Sequence, residues 1–192
     1  GDIYSPWPEE VNRKVVGALA SLHFAPTVRA AESLIRENVP RERIFVTGNT
    51  VIDALLQTKS KIDQYVSARD MFDAGLPAVS DNRHIILVTA HRRENFDGGM
   101  DRIASALLSI AENPDVLIVF PVHPNPNVLE PMKMRLGNHP RIRLLAPQEY
   151  VPFVYLLSRC HFVLTDSGGL QEEAPALGKP VLVMRDTTER PE

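Results

Sequence analysis

Continuous apolar runs alternate with segments of helical periodicity along the chain, and this alternation predicts the fold. The predicted strands are residues 22–25, 44–47, 85–89, 116–122, 142–145, 162–165 and 181–184. Several of these runs are apolar throughout, which is typical of parallel strands that are covered on both faces. The predicted helices lie between them, at residues 8–19, 28–37, 50–66, 99–112, 128–136, 151–158 and 170–177. This order of elements predicts an α/β fold with a doubly wound parallel sheet.

Capping signals mark some of the predicted helix ends. Asn49 and Asp97 are predicted to begin helices, and Gly137 and Gly178 are predicted to end them. Residues 75–82 have the weakest pattern and are predicted to form a surface loop. Because ligands of a doubly wound sheet bind outside the carboxyl ends of its strands, the polar residues that follow each strand are the first candidates for a site.

The strongest functional signal is the stretch HFVLTDSGGLQEEAPALG, at residues 161–178. It predicts a strand, a glycine turn and a helix N-terminus, an arrangement whose free N–H groups and dipole bind phosphate. Glycines allow close approach, and Ser167 adds a hydroxyl donor. Glu173 lies roughly 6 Å further along the helix axis, within reach of a ribose. An ordinary turn with dipole-favoured acids explains the same residues, and neither dinucleotide nor Walker spacing is present.

Two further predicted strands end in polar side chains. His91, Arg92 and Arg93 follow the strand at 85–89, and His123 follows the strand at 116–122. In one parallel sheet these ends and the glycine turn could converge on a single crevice. Each residue taken alone is equally explained as a satisfied or solvated polar group at a strand boundary.

The first predicted helix begins with a proline and two acids. Glu9 and Glu10 follow Pro8, where the helix dipole favours negative charge. On pattern alone, the dipole is a sufficient reason for these acids. No pair of His, Cys, Asp or Glu residues has metal-ligand spacing, so the sequence predicts no metal site.

Composition narrows the class of protein. The 192 residues are 44% hydrophobic and 23% charged, as in soluble globular proteins. The net charge of −3, without a basic run, argues against a nucleic-acid binder. The single cysteine, Cys160, excludes an internal disulfide and is predicted to be a small buried hydrophobe. Because no apolar run approaches the roughly 20 residues of a membrane span and no signal peptide is recognisable, we expect a cytoplasmic protein that does not associate with membranes.

Motifs distributed over the whole chain point to one family. In order, they are YSPWPEE, VTGNTVIDALL, TAHRREN, PVHPNP, DSGGLQEEAPALGKPV and DTTERPE. Together they strongly resemble the non-hydrolysing UDP-N-acetylglucosamine 2-epimerases. The resemblance implies two Rossmann-like domains of the glycosyltransferase-B type. By this comparison, residues 1–48 are the C-terminal part of the N-terminal domain, and residues 49–192 are most of the UDP-binding C-terminal domain. We therefore expect a fragment that lacks the first part of the N-terminal domain and the C-terminal end.

The resemblance also implies an activity. Family members are isomerases that interconvert UDP-N-acetylglucosamine and UDP-N-acetylmannosamine at C2, by eliminating UDP and then adding it again. They need no cofactor and no metal ion. The resemblance further implies a homodimer and a role in supplying N-acetylmannosamine for bacterial surface polysaccharides. Some members bind a second UDP-N-acetylglucosamine as an allosteric activator.

Two residues match catalytic positions of the family. Glu9 matches a carboxylate implicated in acid–base chemistry at the sugar. His91 matches a histidine at the substrate phosphates, where its proton or charge assists the departure of UDP. The family's other catalytic carboxylates belong to sequence that this chain lacks, so we expect the chain alone to be inactive.

The remaining matches concern the substrate and the effector. The substrate-binding positions implied by the resemblance are His91, Gln148, Phe153, Ser167, Gly168, Gly169, Glu173 and Arg190. The turn at 167–169 is the phosphate-binding turn, Glu173 is the ribose contact, and Gln148 and Phe153 line the uracil pocket. Arg92 and His123 lie in motifs near the effector site.

Three other functions share part of this pattern. A glycosyltransferase of the same architecture would share the nucleotide turn, although PWPEE and AHRREN together argue against it. A hydrolysing epimerase would release UDP and free N-acetylmannosamine. A non-catalytic nucleotide-sugar sensor would not need Glu9 and His91 as functional residues.

Overall fold

The computed structural model describes residues 3–4, 7–65, 70, 83–92, 95–96 and 98–185. The chain divides into two units, Gly1–Asp53 and Ala54–Glu192. The assignment of residues 1–48 and 49–192 to two domains of a larger protein stays a prediction.

The first unit contains a two-stranded parallel sheet and two helices. It contains α1 (Glu9–Leu19), β1 (His23–Ala25), α2 (Val28–Arg36) and β2 (Ile44–Val46). β1 and β2 run parallel, with His23 opposite Ile44. The Thr27 hydroxyl caps α2 by accepting a hydrogen bond from the backbone N–H of Ala30 at 3.1 Å. A short 3₁₀ helix, Arg41–Arg43, precedes β2 and has no counterpart among the predicted elements.

The second unit is built on one parallel sheet. α3 (Thr50–Tyr65) leads into it, and the elements that follow are β3 (His84–Thr89), α4 (Gly99–Ile110), β4 (Val116–Pro121), α5 (Pro126–Leu136), β5 (Ile142–Leu145), α6 (Tyr150–Arg159), β6 (Phe162–Thr165), α7 (Leu170–Ala176) and β7 (Val181–Val183). The strand order is β5-β4-β3-β6-β7, and every pair is parallel. The predicted α/β fold with a doubly wound parallel sheet is confirmed.

Helices on both faces of this sheet explain the continuous apolar strands. On β3, Ile85 and Leu87 belong to a core cluster with residues of α3, α6 and α7. Ile86 and Val88 belong to a second cluster, with residues of α4 and α5. Successive side chains of a strand point to opposite faces, so a strand covered on both faces must be apolar at every position.

The strand order creates one switch point in the sheet. From β3 the chain moves outward through β4 and β5, and then returns to add β6 and β7 on the other side of β3. Connections therefore leave the carboxyl ends of β3 and β6 in opposite directions, which opens a crevice between them. At this end of the two strands, Thr89 is paired with Thr165.

The capping predictions are largely confirmed. The carboxamide oxygen of Asn49 accepts a hydrogen bond from the N–H of Val51 at 3.0 Å, at the start of α3. Gly178 follows α7 with a left-handed φ of +69°, which favours glycine. Gly137 is the C-cap of α5. Asp97 and the predicted loop at 75–82 lie outside the described residues.

Cys160 is a core residue, as predicted. It is buried in the cluster with α6. Burial raises the pKa of its thiol to about 11, so the thiolate is scarce at neutral pH. Within the described part of the chain, no helix combines the length and the apolar character that crossing a membrane requires.

Candidate functional site

A pocket of about 350 Å³ lies at the carboxyl ends of β3, β4 and β6. Six of the residues predicted from the sequence line it, namely His91, His123, Gln148, Phe153, Ser167 and Glu173. They come from separate segments of the chain, and the parallel sheet brings their strand ends to one edge. The expected convergence of polar strand ends on one crevice is therefore present in the structure.

A fully buried carboxylate, that of Asp166, ties the two sides of the crevice together. It accepts hydrogen bonds from the backbone N–H of His91 at 2.9 Å and of Arg92 at 2.8 Å. The side-chain amide of Asn95 donates to it at 3.0 Å. Because Asp166 follows β6 and its partners follow β3, these contacts fix one strand-end loop against the other. Asp166 is not among the site residues predicted from the sequence.

A second link between the two strands supports the glycine turn. The hydroxyl oxygens of Thr89 and Thr165 lie 2.7 Å apart. The Oγ1 atom of Thr165 also accepts a hydrogen bond from the backbone N–H of Ser167 at 2.9 Å. Thr165 is fully buried and both contacts are partly buried, so they hold the start of the turn in place.

The carboxylate of Glu173 lies close to the turn. A Cβ atom added to Gly169 would stand 3.0 Å from its Oε1 atom. Burial, and secondarily the charge of Glu172, raise the pKa of the Glu173 carboxyl. Polar groups of a ligand would stabilise the charged Glu173 carboxylate, because they would offset the free-energy cost of burying its charge.

Two imidazoles face each other in the pocket. The rings of His91 and His123 are stacked, with centroids 5.7 Å apart and planes 20° apart. Burial lowers the pKa of His91, Asp166 opposes this shift, and Arg92 and His123 add to it. The unliganded pocket therefore favours a neutral His91 at pH 7, and a bound anion would favour its protonated form.

The segment 147–153 forms another side of the pocket and contributes two aromatic rings to it. Phe153 packs against the core cluster of α6, and the Gln148 side chain donates a hydrogen bond to the Ala146 carbonyl at 2.7 Å. Tyr150, which the sequence analysis missed, also lines this side. Burial and the negative charge of Glu173 raise the pKa of its phenol. This side can hold a flat heterocycle, while the carboxylate and the turn offer polar contacts.

The other predicted site residues are not among the described residues that line the pocket. Glu9 is exposed and begins α1 in the first unit. Gly168 and Gly169 form the turn between β6 and α7 without being among the residues that line the pocket. Arg190 lies outside the described residues.

Arg92 contributes to the strand-end loop through its backbone. Its N–H group donates to Asp166, and its side-chain Nε atom is buried without a hydrogen-bond partner among the described residues. The described residues contain no group of three or more His, Cys, Asp or Glu side chains that could hold a metal ion.

Comparison with protein families gives a match over the whole chain. The model of the UDP-N-acetylglucosamine 2-epimerase family matches residues 1–192. A probable UDP-N-acetylglucosamine 2-epimerase of Ralstonia solanacearum is 56% identical over 193 aligned positions, which cover 100% of this chain and 52% of that protein. The chain thus spans about half the length of the curated relatives it matches.

Solved structures agree with this match. The UDP-GlcNAc 2-epimerase from Neisseria meningitidis, bound to UDP-GlcNAc, is 49% identical with a TM-score of 0.92, over 99% of this chain and 51% of that one. S. aureus MnaA, bound to UDP, is 46% identical with a TM-score of 0.85, over 99% of this chain and 49% of that one.

Proposed function

Because this chain belongs to the UDP-N-acetylglucosamine 2-epimerase family, we propose that its protein interconverts UDP-N-acetylglucosamine and UDP-N-acetylmannosamine at C2 of the sugar. One observation carries the proposal. Residues that the family resemblance assigns to UDP, at positions 91, 148, 153, 167 and 173, line one pocket at the switch point of the sheet. This is the place where doubly wound sheets bind nucleotides.

The pocket suits the parts of a uridine nucleotide. Gln148 and Phe153 line the side that takes the uracil, with main-chain groups recognising the base. The Glu173 carboxylate accepts from the ribose hydroxyls, and the turn that begins at Ser167 binds the diphosphate. The solved complexes of the Neisseria meningitidis protein with UDP-GlcNAc and of the S. aureus protein with UDP support this class of ligand.

The reaction that fits these groups is elimination followed by addition. The C2 proton has no adjacent carbonyl to acidify it, so simple deprotonation is slow. Instead, a base removes the C2 proton as the bond between C1 and the diphosphate oxygen breaks, giving 2-acetamidoglucal and UDP. UDP then adds back to C1 while a proton is delivered to the opposite face of C2.

Two residues have proposed roles in this reaction. His91 stabilises the departing diphosphate by donating a proton or a hydrogen bond to it. Glu9 acts as an acid or base at the sugar. UDP is retained throughout the cycle, which makes the enzyme the non-hydrolysing kind, and no cofactor is needed.

The proposal extends to the context of the enzyme. We expect a cytoplasmic homodimer whose product supplies N-acetylmannosamine for bacterial surface polysaccharides. A second UDP-N-acetylglucosamine molecule would act as an activator near Arg92 and His123. The 192-residue chain by itself would bind UDP weakly and would not turn over, since it spans about half the length of its relatives.

The proposal is tested by proton NMR in deuterated water with UDP-N-acetylglucosamine as substrate. The protein is assayed as this chain and as a chain extended to the length of its relatives, with and without added activator. Deuterium at C2 of both UDP-sugars, with UDP retained, is the expected result for the extended protein. Glu9→Gln should abolish the exchange, while the neighbouring Glu10→Gln is the matched control.

Other outcomes would redirect the assignment. Release of UDP and free N-acetylmannosamine would identify a hydrolysing epimerase. Binding of UDP without exchange or release, even with activator, would favour a glycosyltransferase or a nucleotide-sugar sensor over the epimerase.

A further inference from the structure

The buried carboxylate of Asp166 touches the side chain of His91 as well as its backbone. The Nδ1 atom of His91 lies 3.3 Å from Oδ1 of Asp166. The Asp166 side chain is 0% exposed, whereas that of His91 is 38% exposed. One end of the imidazole is therefore held against a buried charge, and the ring remains accessible from the pocket.

This contact favours a proton on the ring nitrogen that faces Asp166. A carboxylate accepts hydrogen bonds and repels the lone pair of an unprotonated nitrogen, so its position beside Nδ1 favours Nδ1–H. In neutral His91 the Nε2 atom is then unprotonated, and in protonated His91 it becomes an N–H donor. Because Nδ1 faces Asp166, Nε2 is the ring nitrogen left for a ligand in the pocket.

The other contacts of Asp166 hold its carboxylate in place. Backbone N–H groups of His91 and Arg92 and the amide of Asn95 all donate to it. The three donors and His91 belong to the same strand-end loop, so one carboxylate orients both the loop and the imidazole.

The charges around His91 act on its protonation in opposite directions. Among the described residues, Asp166 favours a protonated His91, whereas Arg92 and the stacked His123 disfavour it. Among the described residues, Glu173 is the carboxylate that lines the pocket itself. Burial also disfavours the charged imidazole, so removal of the Asp166 charge would leave His91 without its close anionic partner.

From this geometry we infer that Asp166 is a positioning residue, which holds His91 as the Nδ1–H tautomer and presents Nε2 to the diphosphate of a bound nucleotide. The part that concerns the diphosphate rests on the proposed function. The part that concerns the tautomer rests on the unliganded structure alone. In acid–base catalysis, a carboxylate often orients a catalytic imidazole through the ring nitrogen that does not face the substrate.

The test is nitrogen NMR of the histidine side chains in the isotope-labelled 192-residue chain, with His91 assigned from the spectrum of His91→Asn. In the wild-type chain, neutral His91 is expected to show a protonated Nδ1 and an unprotonated Nε2. The opposite tautomer in the wild-type chain would overturn the inference without any need for a variant at position 166.

Two variants then distinguish the effect of the Asp166 charge on His91 from the effect of packing around it. Asp166→Asn should shift neutral His91 toward the Nε2–H tautomer and lower its pKa by about one unit or more. Asn95→Ala removes one neutral donor to the same carboxylate and should leave the tautomer unchanged. If Asp166→Asn folds and His91 keeps its tautomer and its pKa, the inference is wrong.

Addition of UDP to the same samples distinguishes this inference from the proposed function. UDP should perturb Nε2 of His91 in the wild-type chain and much less in Asp166→Asn. Perturbation of Nδ1 instead of Nε2 would overturn the inference. If the wild-type chain shows the expected tautomer but the protein extended to the length of its relatives does not bind UDP, the proposed function is overturned while the positioning of His91 by Asp166 stays intact.

Discussion

The carboxylate of Glu173 occupies space that a side chain at position 169 would need. A Cβ atom on Gly169 would stand 3.0 Å from Oε1 of Glu173, and the N–H of Glu173 donates to the Gly169 carbonyl at 3.0 Å. The proposed phosphate turn and the proposed ribose contact are thus adjacent, one helical turn apart. We therefore expect the ligand contacts of Gly169 and Glu173 to depend on each other, and substitutions at both positions test this.

Glu173→Ala should weaken the binding of UDP by about 1.5–3 kcal/mol, because hydrogen bonds to a charged acceptor are lost. This corresponds to a roughly ten- to hundredfold rise in Kd. Isothermal titration calorimetry measures it, with Glu172→Ala as the control for loss of a neighbouring carboxylate. An unchanged Kd for Glu173→Ala would exclude the ribose contact.

Gly169→Ala should weaken UDP binding less than Glu173→Ala does, and without loss of stability. The backbone of Gly169 has φ −62° and ψ −42°, which alanine adopts readily, so the new Cβ mainly displaces the Glu173 carboxylate. In the double variant with Glu173→Ala, the two losses should be less than additive. Full additivity in calorimetry would show that the glycine acts independently of Glu173.

Glu173→Gln should stabilise the unliganded protein at pH 7. Burial raises the folded-state pKa of Glu173 above its ordinary value of 4.5, so the folded state binds more protons than the unfolded state between those two values. Stability from this group is therefore present below pH 4.5 and lost as the pH rises through the folded-state pKa. Urea unfolding should give a higher free energy of unfolding for the variant than for the wild type at pH 7, and a smaller difference near pH 4. Equal stability at pH 7 would contradict this account.

Ser167→Ala should cost less than Glu173→Ala, about 0.5–1.5 kcal/mol of UDP binding, because one neutral hydroxyl donor is lost. The backbone N–H of Ser167 still donates to Thr165, so the turn should keep its shape. Calorimetry with UDP gives the value, and a thermal melt checks the fold. Complete loss of binding in a folded variant would mean that this hydroxyl has a larger role than proposed.

Thr165→Val should lower the free energy of unfolding by about 1–3 kcal/mol, since it leaves the partly buried N–H of Ser167 without its acceptor. Thr89 also loses its hydroxyl partner at 2.7 Å. In the double variant with Thr89→Val, the second change should cost less than it does in the wild-type background. Urea unfolding of the single and double variants tests this, and a neutral Thr165→Val would refute the role of the buried hydroxyl.

Much of the fold could be predicted because local pattern and burial agree. The run at 85–89 is apolar at successive positions, and the structure covers Ile86 on one face and Leu87 on the other. The 3₁₀ helix Arg41–Arg43 could not be predicted, because three residues carry no periodicity. Positions of the polar strand ends could be predicted too, because parallel strands bring their carboxyl ends to one edge.

The partners within the site could not be predicted in the same way. Asp166 follows a strongly apolar strand, which could have marked it as a buried acid. Its contacts with His91 depend on β3 and β6 being neighbours, and the two residues are 75 positions apart. Strand order comes from the packing of the whole sheet, and local pattern does not contain it. Tyr150 was missed because the start of a helix carries no sign of which pocket it faces.

The most direct test of the proposed site is the amide spectrum of the isotope-labelled chain during titration with UDP. The account predicts that the largest shifts belong to Ser167, Gly168, Gly169 and His91, with smaller shifts near Phe153. Shifts concentrated in residues 1–53, or none at saturating UDP, would contradict the assignment of the nucleotide site to the carboxyl ends of β3 and β6.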